Sequence, residues 1–445
     1  MSIGEAIASP AGATASPGYR RYVIWLLFSV ALINFFDRQI INILAEPIKR
    51  DLGLADWQLG LLTGFSFAAL YTFSGIPIAL LADRTNRARI ISGALLFWSV
   101  FTAACGLAQT FTQLLLARLA VGLGESGCQP PSLSLISDYA PKEERSSALA
   151  HYSLGITIGG LLALVAGGIL ADQFGWRTAF LVAGAPGVLL GILSFMTLKD
   201  PRRGQAGQDS LSVRATMGEL GRTKIIWWIY GASAAKGMIS YGQVAFLGSF
   251  LLRVHGDSLT DASNKLSAAT GGDFGPLVLV GGALGLISAV GGVTGTWLGG
   301  QFGDRIMKDR PEKLLLLPAI ATPLAVPFQV AAFLSPSGWL AVALLIPPAL
   351  LHAMWLGPTF AALQSVVKPR VRSTASAVQA TFVLLIGLGF GPVVVGALSD
   401  FLAGPLGLGS ADGVRWALIA LCSVSFVASW LFYVAAGKLK ASIIS

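Results

Sequence analysis

Two charged residues lie inside an apolar stretch that is long enough to cross a bilayer. The stretch covers residues 113–137 and contains Arg118 and Glu125. A charge at the centre of a membrane helix costs roughly 2.5–3.5 kcal/mol on insertion scales, so such residues face a protein interior or a watery cavity. The two side chains share one helix face and stand about 10 Å apart along the helix axis, too far to pair with each other. Each charge therefore requires a partner on another helix.

The first apolar stretch supplies candidate partners, Asp37 and Arg38, near its middle. Neighbouring residues diverge by about 100° on a helix, so these two side chains cannot both face one helix squarely. The neutral arrangement is crossed, with Arg38 against Glu125 and Asp37 against Arg118. Protonation of either acid would leave an arginine without its counter-ion, and an anionic headgroup could bind there instead. The hypothesis makes Asp37 and Glu125 the proton-coupling residues, Glu125 first, and makes Arg38 and Arg118 substrate-binding residues.

The same four charges could instead form a static network that fixes the register of the helices. Removing one partner of a buried ion pair costs about 3–5 kcal/mol, so such a network could serve folding alone. Small residues would pack the same helices without that cost, which favours a functional role.

The second half of the chain offers two further polar residues inside apolar stretches, Lys236 and His352. Lys236 is interpreted as a second cation for an anionic headgroup; the alternative is a lysine that extends its stem to the membrane interface. His352 could donate to the cargo or sense pH, or it could be a neutral, hydrogen-bonded helix histidine. Both are predicted substrate-binding residues facing a central cavity.

The composition identifies a polytopic membrane protein. Of 445 residues, 54% are hydrophobic and 12% are charged, against about 25% charged in soluble domains. Apolar stretches of the length that a bilayer requires predict twelve transmembrane helices. Their predicted bounds are 22–45, 58–81, 90–108, 112–137, 146–171, 178–198, 225–251, 277–302, 314–334, 339–367, 374–401 and 414–435.

The distribution of basic residues predicts the orientation. Twenty-two of the 31 Lys and Arg residues fall in segments on the side of both termini, and six fall in the opposite loops. The positive-inside rule then places both termini in the cytoplasm, in a multi-pass protein of the cytoplasmic (inner) membrane. Residues 1–17 have neither a basic region nor an apolar core, so they do not form a signal peptide. The three cysteines (Cys105, Cys128 and Cys422) lie within predicted spans and are expected to be free thiols.

Two sequence echoes predict that the fold is duplicated. The run Asp83-Arg84 with Arg87 recurs as Asp304-Arg305 with Lys308, 221 residues later. The pattern G-x-L-x-D ends at Asp172 and recurs ending at Asp400, 228 residues later. Similar offsets in a chain of twelve spans indicate two six-helix units.

The predicted domains follow from this duplication. They are a cytoplasmic N-terminal tail 1–20, an N-terminal six-helix bundle 21–198, a cytoplasmic linker 199–224, a C-terminal six-helix bundle 225–437 and a cytoplasmic tail 438–445. The predicted fold class is an all-α membrane protein, with two six-helix bundles around a central cavity. Glycines at four-residue spacing, such as Gly155 with Gly159 and Gly295 with Gly299, predict close helix packing, either permanent or between sliding halves. The long connection 253–276 is expected to be a loose insertion.

Several stretches carry a resemblance to a known family. The run GIPIALLADRTNRAR (75–89) resembles the loop motif of the major facilitator superfamily. NFFDRQIIN (34–42), ARLAVGLGESGC (117–128), SLISDYAPKEERSSALAHYSLG (134–155) and FGWRTAFLVAGAPG (174–187) are similar to its spinster branch. The likeness extends over nearly the whole chain, and the C-terminal half matches less distinctively.

The resemblance implies a proton-coupled secondary transporter that works by alternating access. The cargo that it implies is an amphipathic anionic or zwitterionic lipid such as a lysophospholipid or a sphingosine-1-phosphate-like molecule. In the family that the chain resembles, the Asp-Arg loop closes the cytoplasmic side, which makes Asp83, Arg84, Asp304 and Arg305 predicted gating residues. The alternative for the arginines is a purely topological role.

Other functions stay open or are disfavoured. The sequence contains neither GxxxxGK[ST] nor HExxH and no clear metal spacing, so an enzyme with catalytic or metal-binding residues is not expected. No cofactor is expected beyond the proton gradient, and the expected partners are the cargo, protons and membrane lipids, with no nucleic acid and a monomeric state. A channel is an alternative of another class. Within transporters, the alternatives are an organic-anion (sugar acid or dicarboxylate):proton symporter and a multidrug efflux antiporter, the latter weakened because the fifth helix lacks a Gly-Pro signature.

Overall fold

The structure, a computed structural model, describes residues 15–141, 144–201, 218, 220–368 and 371–443. Within these residues the chain forms helices that cross the molecule twelve times, here numbered α1 to α12. The first five runs, which give α1 to α6, are Pro17–Leu52 (α1), Asp56–Arg84 (α2), Arg87–Cys105 (α3), Phe111–Glu125 with Gln129–Tyr139 (α4), and Arg145–Thr197 (α5 and α6). The others are Lys224–Val254 (α7), Pro276–Asp309 (α8), Leu316–Leu324 with Val326–Phe333 (α9), Gly338–Ala353 with Leu356–Ser365 (α10), Arg372–Ala403 (α11), and Gly409–Leu421 with Val424–Leu439 (α12).

The predicted fold class is confirmed. Nine described segments are long and apolar enough to cross a membrane, with the run Arg145–Thr197 counted as one. That run contains a non-helical residue, Gly175 (φ 79°, ψ 162°), which separates α5 from α6. The positive φ requires glycine there, because side chains with a Cβ rarely adopt it. The remaining two crossings are α4, which is broken and carries the charges, and α7.

Two predicted bounds change in the structure. Helix α1 begins at Pro17, before the predicted span 22–45, and is capped by Ser16, whose hydroxyl accepts from the Tyr19 amide at 3.3 Å. The predicted span 112–137 is interrupted between Glu125 and Gln129. Pro130 and Pro131 cannot donate backbone hydrogen bonds, so the second piece starts anew. Most of the predicted linker lies outside the described residues.

The glycine pairs pack helices inside each half. A Cβ on Gly159 would meet the Leu32 carbonyl oxygen of α1 at 2.1 Å, and one on Gly295 would meet the Leu350 carbonyl oxygen of α10 at 2.1 Å. Both contacts join helices of one six-helix half, α1–α6 or α7–α12. Their smooth faces therefore serve packing within a half and not sliding between halves.

The two halves meet on one side of the membrane. Below, the termini side is the side where α1 begins and α12 ends, and the far side is the opposite one. Arg253, at the far-side end of α7, donates to Glu46 of α1 at 2.8 Å and to Asp56 of α2 at 2.7 Å. The hydrogen bonds and ion pairs found between the halves in the described part of the chain all lie on this far side.

The predicted gating residues lie on the termini side. Arg84, Asp304 and Arg305 have exposed side chains, and the described contacts include no bond from them to the opposite half. The side chain of Asp83 lies outside the described residues. The structure therefore has its far side closed, and the three described gating residues do not bind the opposite half.

The long far-side connection is ordered, contrary to the expectation of a loose insertion. It contains the helix Gly256–Thr270, which buries Leu259 and Ser263. These residues are four apart and share one helix face. A polar sequence with one narrow buried stripe gives little apolar signal, which is why the sequence interpretation missed this helix.

Candidate functional site

Arg38 and Glu125 form the predicted ion pair at the centre of the N-terminal half. The Nη2 and Nε atoms of Arg38 donate to the Oε2 atom of Glu125 at 2.8 and 3.1 Å. Helix α1 positions the arginine, and Glu125 is the last residue of the first piece of α4. The Glu125 side chain is fully buried, whereas that of Arg38 is 14% exposed. The arginine is therefore the member of the pair that an incoming molecule can contact.

Aromatic rings surround the Arg38 guanidinium. Its central carbon lies 4.6 Å from the ring centre of Phe35, 4.4 Å from that of Phe67 and 5.0 Å from that of Tyr71. Cation–π contacts of this kind are worth up to about 2 kcal/mol when they are desolvated. The three rings therefore stabilise the buried cation in addition to its carboxylate partner.

Two glycines bring α4 close to its neighbours. A Cβ on Gly122 would meet the Phe67 carbonyl oxygen of α2 at 2.7 Å, and a Cβ on Gly124 would meet Trp98 of α3 at 2.9 Å. A larger residue at either position would push α2 or α3 away. The glycines next to Glu125 thus hold the aromatic cage and α3 against the charged helix.

The predicted pair between Asp37 and Arg118 is wrong for this structure. The Oδ2 atom of Asp37 accepts from Trp98 Nε1 at 3.1 Å and from the Thr102 hydroxyl at 3.4 Å. Arg118 is fully buried, and its Nη1 atom donates to the backbone oxygen of Asp37 at 3.4 Å. The 100° between consecutive side chains turns Asp37 towards α3 when Arg38 faces α4, so donors on α3 take its carboxylate.

This arrangement leaves buried polar atoms of both residues without partners. Asp37 Oδ1 and the Nε and Nη2 atoms of Arg118 have no hydrogen bond in the described structure, and the same is true of Glu125 Oε1. Buried unpaired polar atoms are costly and occur where a site changes its partners. The N-terminal half therefore holds a network with spare donors and acceptors.

The C-terminal half holds a second buried polar cluster. Lys236 is fully buried and hydrogen-bonds the Nδ1 atom of His352, so it does not extend to the interface as the alternative interpretation required. The Nε2 atom of His352 lies 3.0 Å from Gln329 Nε2, and Gln329 also donates to Gln243 Oε1 at 2.8 Å. Cys422 donates to Gln329 at 3.5 Å. A chain of neutral and cationic groups thus crosses α7, α9, α10 and α12.

His352 and the two glutamines line a cavity of about 330 Å³. Apolar side chains form most of its remaining wall, among them Leu164 of the opposite half. Tyr241, five residues beyond Lys236 on α7, packs with Phe67 and Leu388 where the two halves meet. The Arg38 cage and the Lys236 cluster therefore lie on the two sides of one central interface.

Several functional candidates were not identified from the sequence. Trp98, Thr102, Phe67 and Tyr71 are ordinary membrane-helix residues by type, and their spacing carries no signal. Gln329 is a polar residue inside an apolar stretch, and that signal could have been used together with His352. Outside these clusters, the three cysteines are free and buried, as expected.

The fold and the site define a membrane carrier built from two six-helix halves. Residues 27–392 match the Major Facilitator Superfamily, and the chain belongs to this superfamily. It is a membrane transport protein and not an enzyme.

Three named transport proteins are similar in sequence to this chain. An MFS-type efflux pump of Mycolicibacterium smegmatis is 30% identical over 431 residues, which cover 95% of this chain and 94% of that protein. Protein spinster homolog 1 of Bos taurus is 27% identical over 420 residues, or 87% of this chain and 74% of that protein. A probable L-galactonate transporter of Escherichia coli is 32% identical over 179 residues, 39% of this chain and 38% of that protein.

The solved structures include a bacterial homolog to the human lysosomal transporter spinster in an inward-facing, unoccupied conformation. It superposes with a TM-score of 0.86 at 30% identity and covers 97% of this chain and all of that chain. The spinster resemblance seen in the sequence is therefore confirmed at the level of the fold.

Proposed function

We propose that this protein is a proton-coupled secondary transporter that moves an amphipathic, anionic or zwitterionic lipid-like molecule by alternating access. The observation that carries the proposal is the Arg38–Glu125 pair, a buried ion pair whose arginine is partly open and caged by three aromatic rings. Such a site offers one cation to two competing anions, the glutamate and a cargo headgroup.

Competition for Arg38 links the proton to the cargo. When Glu125 is ionised, it occupies the Nε and Nη2 donors of Arg38. Protonation removes its charge, and the guanidinium then offers charge-assisted hydrogen bonds to a phosphate or carboxylate. The aromatic cage keeps the cation stable during the exchange. Proton binding therefore favours cargo binding at the same position.

Asp37 and Arg118 form the second component of the proposed mechanism. Arg118 is buried without a carboxylate partner, while Asp37 is held by two neutral donors. A rotation of either side chain would pair the two, and a proton on Asp37 would prevent that pairing. We assign Asp37 as a second proton site and Arg118 as the cation that responds to it.

The cargo assignment depends on the apolar character of the surroundings. The rings around Arg38 and the largely apolar cavity beside His352 suit an alkyl chain attached to a charged headgroup. Lys236 and His352 would then contact the headgroup from the opposite half. The likeness to spinster proteins adds to this proposal, since the structure of their bacterial homolog superposes on 97% of this chain at 30% identity.

The relatives favour two other cargo classes. The Mycolicibacterium relative, which covers most of the chain, is an MFS-type efflux pump and favours the efflux alternative. The L-galactonate transporter favours a sugar acid, although the likeness covers 39% of this chain. We place the protein in the cytoplasmic membrane with both termini in the cytoplasm, because the termini side carries most of the basic residues. We also propose that it acts as a monomer.

Transport by purified protein in liposomes that contain a pH-sensitive dye tests the proposal. A lysophospholipid, galactonate and a lipophilic cationic dye are offered in turn to the wild type and to Glu125→Gln. We expect lysophospholipid to drive proton movement in the wild type and not in Glu125→Gln, which still binds it. Glu312→Gln, which alters a carboxylate on the termini side, serves as a control and should transport like the wild type.

Each contrary result would support a different functional interpretation. Proton movement with galactonate alone would replace the lipid by a sugar acid, and movement with the cationic dye alone would favour drug efflux. Unchanged proton coupling in Glu125→Gln would remove Glu125 from the coupling mechanism.

A further inference from the structure

Helices α2 and α8 begin at residues whose side chains cannot cap them. Helix α2 starts after Ala55 and helix α8 after Gly275, and neither residue has a side chain that can accept from the first turn. The first backbone N–H groups of a helix have no partner within the helix, and a side chain of Ser, Thr, Asp or Asn normally accepts from them. Both helix starts lie on the far side of the membrane.

The missing caps come from the opposite half of the molecule. The two carboxylate oxygens of Asp400, at the end of α11, accept from the amides of Asp56 and Trp57 at 2.9 and 2.8 Å. Those of Asp172, at the end of α5, accept from the amides of Leu277 and Val278 at 3.4 and 2.9 Å. Each aspartate thus binds two amides of a helix that belongs to the other half.

The two caps are copies of each other under the internal duplication. Asp172 and Asp400 are the last residues of the repeated G-x-L-x-D pattern, 228 positions apart. Asp56 and Leu277, the first capped residues, are 221 positions apart, which is also the separation of the two Asp-Arg runs on the same helices, α2 and α8. Each half therefore offers one aspartate and one uncapped helix to the other.

The glycine of each G-x-L-x-D pattern makes the contact close. A Cβ on Gly396 would meet the backbone oxygen of Asp56 at 2.2 Å, and one on Gly168 would meet that of Leu277 at 2.5 Å. The glycine lies one turn before its aspartate and touches the same first turn that the aspartate caps. Any larger residue would separate the helices and pull the carboxylate away from the amides.

We propose that Asp172 and Asp400 are a paired latch that holds the far side closed and must open in every transport cycle. In alternating access the halves rock against each other around the central site. Opening of the far side withdraws both carboxylates, and the four amides then need water. The latch uses a carboxylate against the positive end of a helix, so it holds the halves together without a basic partner.

The two aspartate caps differ in how many other bonds join the halves beside them. On the α11 side, the side chain of Asp56 also accepts from Ser399 at 2.7 Å and binds Arg253 at 2.7 Å. The described residues of the α5 side add no ion pair between the halves. Removal of Asp172 therefore tests capping by itself, whereas removal of Asp400 leaves the Arg253 contacts in place.

Distances between two spin labels, measured by electron paramagnetic resonance on the protein in nanodiscs, test the latch. Spin labels at Thr112→Cys and Ser410→Cys report the separation of the halves on the far side, and the native cysteines are buried. We expect Asp172→Ala and Asp400→Ala each to raise the ratio of far-side-open to far-side-closed molecules by about fivefold, the factor that a typical N-cap contributes. The double variant should multiply the two effects. Asp412→Ala, which breaks a far-side ion pair within the C-terminal half, should leave the distances unchanged.

A second variant separates a latch from a cap that only stabilises a helix. In the Asp172→Ala background, Gly275→Asn gives α8 a cap of its own, in the space that the Asp172 carboxylate occupies in the wild type. We expect this cap to raise the thermal stability and leave the far side open as often as in Asp172→Ala. Restoration of the closed state by Gly275→Asn, or wild-type distances in the double aspartate variant, would overturn the latch. The inference rests on the alternating access of the proposed function but needs no cargo, so a failed lipid assignment leaves this test intact.

Discussion

The N-terminal and C-terminal halves share one architecture and differ in the chemistry at their centres. The N-terminal centre contains two carboxylates and two arginines, with Arg38 bound to Glu125. The C-terminal centre contains Lys236, His352 and glutamines, and the described residues place no carboxylate there. Among the described residues, buried carboxylates therefore lie at the centre of the N-terminal half and not at that of the C-terminal half.

Because their centres differ, the two halves can have different roles in transport, whereas two identical halves would have the same role. The duplication preserved the features that hold the fold together, such as the aspartate caps of α2 and α8 and the glycines beside them. It did not preserve the charges at the centre. We infer that the N-terminal half couples the proton and that the C-terminal half completes the cargo site.

The largest expected effect is on Glu125. Glu125→Gln removes the negative charge that Arg38 binds, and we expect proton-driven uptake to fall by about 100-fold, because losing one partner of a buried, hydrogen-bonded charge pair costs about 2–5 kcal/mol. Cargo binding without a proton gradient should persist. Dye-loaded liposomes and direct binding to the purified protein provide the two measurements. Equal loss of binding and uptake would show that the residue serves the cargo and not the proton.

Substitutions of the two arginines should affect stability and transport differently. Arg38→Met leaves Glu125 buried and unpaired, so we expect a loss of about 3–5 kcal/mol in stability. Arg118→Met removes a buried cation that has no carboxylate partner. The thermal unfolding temperature of this variant should therefore equal or exceed that of the wild type, while transport is lost. Thermal unfolding in detergent checks both variants. A large destabilisation by Arg118→Met would mean that Arg118 is a structural residue.

A smaller effect is expected in the C-terminal half. Lys236→Met keeps the length of the side chain and removes its charge, and we expect about a tenfold weaker affinity for the cargo, or about 1.4 kcal/mol. The number of protons moved per cargo molecule should not change, because the carboxylates lie in the other half. His352→Gln, which retains a hydrogen-bonding side chain, should have a weaker effect than Lys236→Met. A changed proton ratio in Lys236→Met would contradict the division of tasks.

The smallest expected effect concerns His255, which follows α7 on the far side. Burial, and secondarily the charge of Arg415, lower the pKa of His255 below its usual 6.5. The unfolded chain then binds the proton more readily than the folded one. The contribution of neutral His255 to the stability of the fold is therefore complete above about pH 6.5 and declines as the pH falls below it. We expect the wild type to lose more stability between pH 7 and pH 5.5 than His255→Gln does, as measured by thermal unfolding. Parallel pH profiles would show that His255 contributes nothing to this loss.

The fold was predictable because its signals are local and repeated. Apolar stretches of bilayer length mark the spans, and the asymmetry of basic residues predicts the orientation. The break in α4 and the far-side helix Gly256–Thr270 were missed, since proline inside an apolar stretch and a narrow buried stripe give weak signals. The site was predictable in part. The Arg38–Glu125 pair follows from charge neutrality between two helices, whereas Trp98 and Thr102 carry no sequence signal that marks them as the donors to Asp37.

The sequence by itself determined that this is a duplicated twelve-helix membrane transporter with four charges in one half, because charges inside apolar stretches stand out against their surroundings. Only the tertiary structure decided which of the two predicted charge pairs forms and what surrounds it. Helix rotation and the approach allowed by Gly122 and Gly124 place Arg38 in an aromatic cage and turn Asp37 towards α3. Contacts between residues far apart in the chain depend on the packing of several helices at once, and no spacing within one helix encodes them.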